Sequence, residues 1–333
     1  MRRILVALIL LVSIVVIPGA DSSEAGAQET TTLRIATLAP RGSTWMRVFN
    51  AWSADLRRAT DGQVALRFYP GGVAGDEADF IRKIRAGQLE GAAVTTTGLG
   101  QVVRPVLVLA VPGVFQEYRQ LDRARNALST ELNALFGEAG YENLGWGDVG
   151  KARIFSTSAI RRPQDLRSTR PWAWRDDVVF SQFLQTVGAN PVRLGVPEVY
   201  PALQTGQVNA VPASALAAVS LQWHTRLTHV TQQSSSIIIG ATIVRSEAIN
   251  SLSEAHQTAL RETAGRAHGL LTRAIRRDDD RAYNTILERG ITAVDTDAHR
   301  AEWEQAGAQT RNALVGRLYS RELLQRVERA AGR

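Results

Sequence analysis

Residues 32–72 read TLRIATLAPRGSTWMRVFNAWSADLRRATDGQVALRFYPGG, and three elements are legible in them. Thr32 to Pro40 is a short apolar run ended by a proline, the pattern of a buried strand. After Gly42, the residues Trp45, Val48, Phe49, Trp52 and Leu56 recur at helical spacing, and Gly62 supplies the stop. Gln63 to Gly72 then reads as a second strand. The alternation continues with a helix in DEADFIRKIRAGQ (76–88) and a third strand with its loop in LEGAAVTTTGLG (89–100). Strand, helix, strand, helix, strand predicts a parallel sheet covered on both faces, so the fold class is α/β.

The middle of the chain repeats the theme. ARIFSTS (152–158) and STRPWAWR (168–175) read as strands, DVVFSQFLQTVG (177–188) as a helix and ANPVRLG (189–195) as a strand. A further helix in PEVYPALQTGQ (197–207) leads to strands in VNAVPAS (208–214) and SSSIIIGATIVR (234–245). Ser251, with Glu254 three residues later, has the form of a capping box. The helical pattern behind it runs to Arg289 before Gly290, a span of roughly 55 Å if unbroken. A helix of that length is too long for one small lobe and is expected to brace two.

Upstream of all this, the chain opens MRRILVALILLVSIVVIPGA. Arg2 and Arg3 precede an apolar run, Ile4 to Ile17, broken only by Ser13. As a helix that run reaches ~21 Å, short of a hydrocarbon core of roughly 30 Å. Residues 1–27 are therefore read as a cleaved export signal rather than an anchor, with Ala25-Gly26-Ala27 as the first choice of cleavage site and Ala20 as the second. The remaining chain of about 300 residues is long enough to bury a sizeable core and by size divides into two lobes. The expected division places 33–152 and 238–278 in one lobe, and 153–237 and 279–333 in the other with the C-terminal helices.

Composition excludes several functions. There is no cysteine, hence no disulfide and no cysteine metal site. The net charge is +7, and lysine occurs only at Lys83 and Lys151, so the rest of the 39 basic residues are arginine. Those arginines are spread and interrupted by acids, as in Arg276-Arg277-Asp278-Asp279-Asp280-Arg281, so no nucleic-acid footprint is expected. The acidic run Asp278 to Asp280 reads as a solvated helix face. The five histidines show no metal-ligand spacing, YPGGVAGDE (69–77) lacks a dinucleotide-binding frame, and nothing pairs a nucleophile with a base. Neither an enzyme nor a metal or cofactor site is expected.

Four segments carry a resemblance: residues 36–77, FIRKIRAGQLEGA (80–92), RRPQDLRS (161–168) and GANPVRLGVPEVYPALQTGQVNAV (188–211). In order and spacing they resemble the DctP-type solute-binding proteins of TRAP (tripartite ATP-independent periplasmic) transporters, over roughly residues 33–255. The resemblance implies a two-lobed periplasmic binding protein of the Venus-flytrap kind that closes on a small solute and delivers it to integral membrane TRAP subunits. A monomer in the periplasm is expected. The other reading from the same fold is an exported ligand-sensing or efflux-associated interaction protein.

The resemblance also locates a site and a departure from it. Most of the family carries a carboxylate-clamping arginine on the strand after RRPQDLRS; counted from Asp165, that place holds Trp172. The asparagine many relatives place after the next helix falls near Ala213. The W-x-W form resembles a divergent branch of the family, and the departure argues against a simple C4-dicarboxylate. Alternation sets Trp172 and Trp174 on one face, either as packing between lobes or as the wall of a ligand pocket. Arg170 is expected on that face, Arg175 on the opposite one. Trp45, Thr95 and Thr96 lie at C-terminal strand ends, where ligands collect in open α/β sheets, and Tyr200 completes the candidate set from the second lobe.

Overall fold

The computed structural model describes residues 30–333. The expected export signal, residues 1–27, lies outside them. In the first third, β1 (Thr31–Thr37), α1 (Thr44–Ala59), β2 (Val64–Tyr69), α2 (Glu77–Arg85), β3 (Gly91–Thr95) and the short α3 (Thr96–Leu99) follow the expected alternation. A 21-residue helix, α4 (Tyr118–Glu138), leads into the long strand β4 (Tyr141–Ser156). Then come β5 (Trp172–Trp174), α5 (Val178–Val187), β6 (Val192–Leu194), α6 (Val196–Gln204), β7 (Ala210–Ala213) and α7 (Ala215–Ser220). The chain closes with β8 (His229–Thr231), β9 (Ser236–Arg245), α8 (Ser246–Asn250), α9 (Glu254–Glu288), β10 (Thr292–Val294), α10 (Arg300–Leu314) and α11 (Arg321–Ala331).

β1 pairs in parallel with β2 and with β3, as the alternation predicts. The sheet then departs from a purely parallel one. β9 runs antiparallel to β3, and β4 runs antiparallel to β9 from Tyr141 to Ala152. At Arg153 β4 takes up β7 instead, and at Phe155 it also meets β8, which carries β10. β4 thus runs from one lobe into the other, and the order β10-β8-β4-β9-β3-β1-β2 is one continuous hydrogen-bonded path.

Sequence explains how each lobe is held. Ser43 caps α1, accepting from the Met46 amide, and the stripe Trp45, Met46, Phe49, Trp52 and Leu56 is buried against the sheet. α9 is 35 residues long, about 52 Å at 1.5 Å per residue, and packs against β4, α1 and α7. Its buried residues Leu260, Ala264, Ala267, Leu271, Ile275, Asp279, Ala282 and Ile286 recur three and four apart, the stripe that lets it brace both lobes. The C-terminal segment divides: α10 packs on α5, whereas α11 packs back on α4 beside the first lobe.

Two local expectations are corrected. The cap of α9 is Ser253, whose Oγ accepts from the His256 amide; Ser251 sits in the turn after α8. Asp279 is not on a solvated face but fully buried. Its carboxylate accepts from the Lys151 amide at 2.9 Å and the Leu216 amide at 3.0 Å, tying β4 and α7 to the long helix. Gly150, at φ +129°, makes room for it: a Cβ there would stand 2.6 Å from the Asp279 carboxyl carbon.

Candidate ligand-binding site

A cavity of about 250 Å³ opens where the two lobes meet, at the C-terminal ends of β1 and β3. Trp45, Thr95 and Thr96 line it from the first lobe, and Trp172, Trp174 and Ala213 from the second. The sequence therefore brought these six to one place.

The tryptophans form a built wall. Trp172 and Trp174 share a face, their rings 6.2 Å apart and 28° from coplanar, and Trp223 meets Trp172 edge-on at 5.2 Å. Three of these indole N–H groups have partners: Trp172 donates to the Leu194 carbonyl at 3.0 Å, and Trp45 to the Asp148 carbonyl at 3.2 Å. Trp174 donates across the lobe junction to Asp76 Oδ2 at 2.9 Å. Packing between lobes and lining a pocket are thus one role for Trp174.

Arg170, Arg175 and Tyr200 are not among the residues that line the cavity. The alternation that put Arg170 with the tryptophans fails because β5 begins only at Trp172, and Pro171 precedes it. Arg170 is exposed and donates instead to the Gly206 carbonyl. Arg175 pairs with Glu198 at 2.6 Å, and Tyr200 faces Arg226 on the surface side of α6. Among the described residues no arginine and no lysine lines the cavity.

Apart from His268, the ionisable groups at its walls are carboxyls. Glu77, at the start of α2, accepts from the Thr95 amide, the Thr95 hydroxyl and the Gly98 amide. Burial outweighs those donors and pushes its carboxyl up to about 8, so it holds its proton at neutral pH. Asp148 is already matched, its two oxygens taking Arg125 at 2.8 Å and Arg276 at 2.6 Å from behind the wall. Asp177 caps α5 through Oδ1, which accepts from the Val179 and Phe180 amides. His268, against Thr242 and the Ala264 carbonyl, is lowered by burial to about 4 and is neutral.

Asp76 joins the lobes. Its Oδ1 caps α2 through the Glu77 amide, while Oδ2 accepts both Trp174 and the Val196 amide, at 3.1 Å, from the opposite lobe. Asp76, Glu77, Asp177 and Trp223 were not picked out from the sequence. The only local signal was the acidic pair closing YPGGVAGDE and the pair after WAWR, each readable as a helix cap.

A cleft at strand ends between two lobes surrounds a small molecule on all sides, and the class of protein it defines is the two-lobed solute receptor. The sequence model of DctP, the bacterial extracellular solute-binding proteins of family 7, matches residues 35–314, and the chain belongs to that family. A solute-binding protein of Roseobacter denitrificans is 26% identical over 294 residues, 83% of this chain and 85% of the relative. One of Chromohalobacter salexigens is 24% identical over 168 residues, so the match spans only 49% of that relative. The 2,3-diketo-L-gulonate-binding periplasmic protein of Escherichia coli is 22% identical over 78% of this chain and 80% of its own. Among solved structures, a TRAP periplasmic solute-binding protein of Ralstonia eutropha with bound (S)-2-acetolactate superposes with a TM-score of 0.85 at 19% identity, covering 91% of this chain and 99% of that one. One of Desulfovibrio salexigens with bound orotic acid gives 0.84 at 16%. The two-lobed fold is that of these receptors.

Among the described residues no helix is long and apolar enough to cross a membrane, and no group of His, Asp and Glu is placed to hold a metal.

Proposed function

We propose that this protein is the periplasmic solute receptor of a TRAP-type transport system, and that its solute is not a simple C4-dicarboxylate. The observation that carries the reading is the wall itself: indoles from the second lobe face a cavity that, among the described residues, no arginine or lysine lines. A carboxylate moved there loses its hydration and meets no matched cation, a penalty of at least a few kcal/mol. Each 1.4 kcal/mol is about tenfold in affinity, so part of that penalty turns micromolar binding millimolar. At about 250 Å³ the cavity is also below the roughly 300–1,000 Å³ of drug-sized sites, so the solute is small.

The working unit in this proposal is a monomer, exported with loss of its leader, that hands its solute to membrane subunits. Its lobes are 33–152 with 238–278 and 153–237 with 279–333, α11 reaching back to the first. The switch of β4 from β9 to β7 between Ala152 and Arg153 supports that boundary. The site residues are Trp45, Thr95, Thr96, Trp172, Trp174 and Ala213.

Native mass spectrometry of the purified protein identifies what it carries, and calorimetry tests the class. Succinate, malate and fumarate bind weakly; solutes with a planar or aliphatic body bind better, and Trp172→Ala weakens them by about 1–3 kcal/mol. Micromolar dicarboxylate binding that survives Trp172→Ala and is lost in Arg170→Ala or Arg175→Ala overturns this reading.

A further inference from the structure

We infer that the solute of this cavity carries a positive charge, received by the free oxygen of Asp177 beside the aromatic wall. The inference rests on the receptor reading above and specifies its ligand. Of the acidic groups at the cavity, Asp148 is neutralised by two arginines and Glu77 is satisfied by three donors. Asp177 differs. Its Oδ1 is used by the helix cap, while Oδ2 has no donor among the described residues and forms no ion pair.

Its placement is fixed by the chain. The turn after β5 is closed by the Asp177 amide donating to the Trp174 carbonyl at 3.0 Å, so the carboxylate follows directly from the tryptophan strand. On its other side, Phe180, Phe183 and Trp303 continue the aromatic lining, with Phe183 and Trp303 stacked at 6.0 Å. Arg193 on β6 acts on Asp177 through its field, but it is exposed, makes no ion pair with it and does not line the cavity. Burial pushes the carboxyl above its usual range, and the two capping amides and Arg193 offset this only in part. An ammonium group answers both features, since aromatic faces attract cations and an unpaired carboxylate accepts its N–H donors or its field. A carboxylate solute meets repulsion at the same point.

The test is calorimetry on the purified full-length receptor with choline, its neutral carbon isostere 3,3-dimethylbutan-1-ol, and succinate. Choline is expected to bind at least tenfold more tightly than the alcohol, which has the same shape without the charge. Asp177→Asn is expected to erase that preference. Asparagine also caps helices, so an unchanged thermal midpoint shows that the fold is kept. Equal affinity for choline and the alcohol, or a preference that persists in Asp177→Asn, overturns the inference. If succinate instead binds and contracts the scattering profile, the cation fails while the receptor reading stands. If none of the three probes, nor any solute released from the native protein, changes that profile, the receptor reading itself fails.

Discussion

Replacing Trp174 by phenylalanine keeps an aromatic ring in the cavity wall and removes one atom pair, the indole N–H on Asp76 Oδ2 at 2.9 Å. Because that bond crosses from one lobe to the other, its loss weakens the closed arrangement without touching the interior of either lobe. A hydrogen bond to a charged acceptor contributes about 1.5–3 kcal/mol, and Asp76 keeps the Val196 and Glu77 amides, so the lower end applies. A loss of about 1.5 kcal/mol shifts the closed-to-open ratio roughly tenfold, and the apparent affinity by up to as much. The absence of cysteine makes the measurement clean: Asn50→Cys on α1 and Gln204→Cys on α6, both exposed, take fluorophores at those two places alone. Energy transfer then reports the closed fraction against solute concentration. A Trp174→Phe titration that overlays the parent refutes the reasoning. So does additivity of Trp174→Phe and Asp76→Asn in a double-mutant cycle, since groups sharing a bond must couple.

Gly195→Ala is expected to weaken solute binding at least tenfold while leaving the solute-free melting point in place. Its backbone is ordinary at φ −73°, but a Cβ would stand 2.5 Å from Asp76 Oδ2; calorimetry and melting separate the two effects. Asp279→Ala strands the buried Lys151 and Leu216 amides and is expected to cost about 2–4 kcal/mol by urea unfolding, with Asp279→Asn milder because its carbonyl oxygen still accepts. Stability should also depend on pH through two buried groups of opposite sign. Glu77 is held at about 8 against 4.5, so its contribution is whole below about 4.5 and lost as pH rises through 8. His268 is held at about 4 against 6.5, so its contribution is whole above 6.5 and lost as pH falls toward 4. Glu77→Gln should therefore abolish a decline in unfolding free energy between pH 6.5 and 8 and, because the two slopes offset each other between about 4.5 and 6.5, unmask the His268 decline on the acid side of 6.5.

The parallel core was legible because α1 and α2 each bury one stripe, and a stripe repeats within a few residues of itself. The tryptophan wall was legible for the same reason: Trp172 and Trp174 share a face by alternation alone. What escaped was whatever depended on distant chain. The part of β4 that pairs with β9, Tyr141 to Ala152, contains Gly145, Gly147 and Gly150 and carries bulges at Asn143/Gly145 and Asp148/Gly150, so no period marks it as a strand. Its partner β9 lies some ninety residues on. Asp279 looks solvated within its own helix because the amides it receives belong to residues 151 and 216. Asp76 and Trp174 are 98 positions apart, and neither residue type announces the other. Arg170 was misplaced for a local reason: Pro171 stands ahead of β5, which begins only at Trp172.

The strand pairing has a consequence in time. β3 cannot finish its ladder until Gly91 has met Val244, and β4 cannot until Tyr141 has met Arg245. A chain emerging N-terminus first therefore has no completed lobe until residue 245 has been delivered, because the strand that seals the first lobe is among the last to be made. Contacts of such sequence separation slow folding. By the same order neither lobe is whole until α9 and β10 have followed β9, so nearly the entire chain is made before either lobe can set.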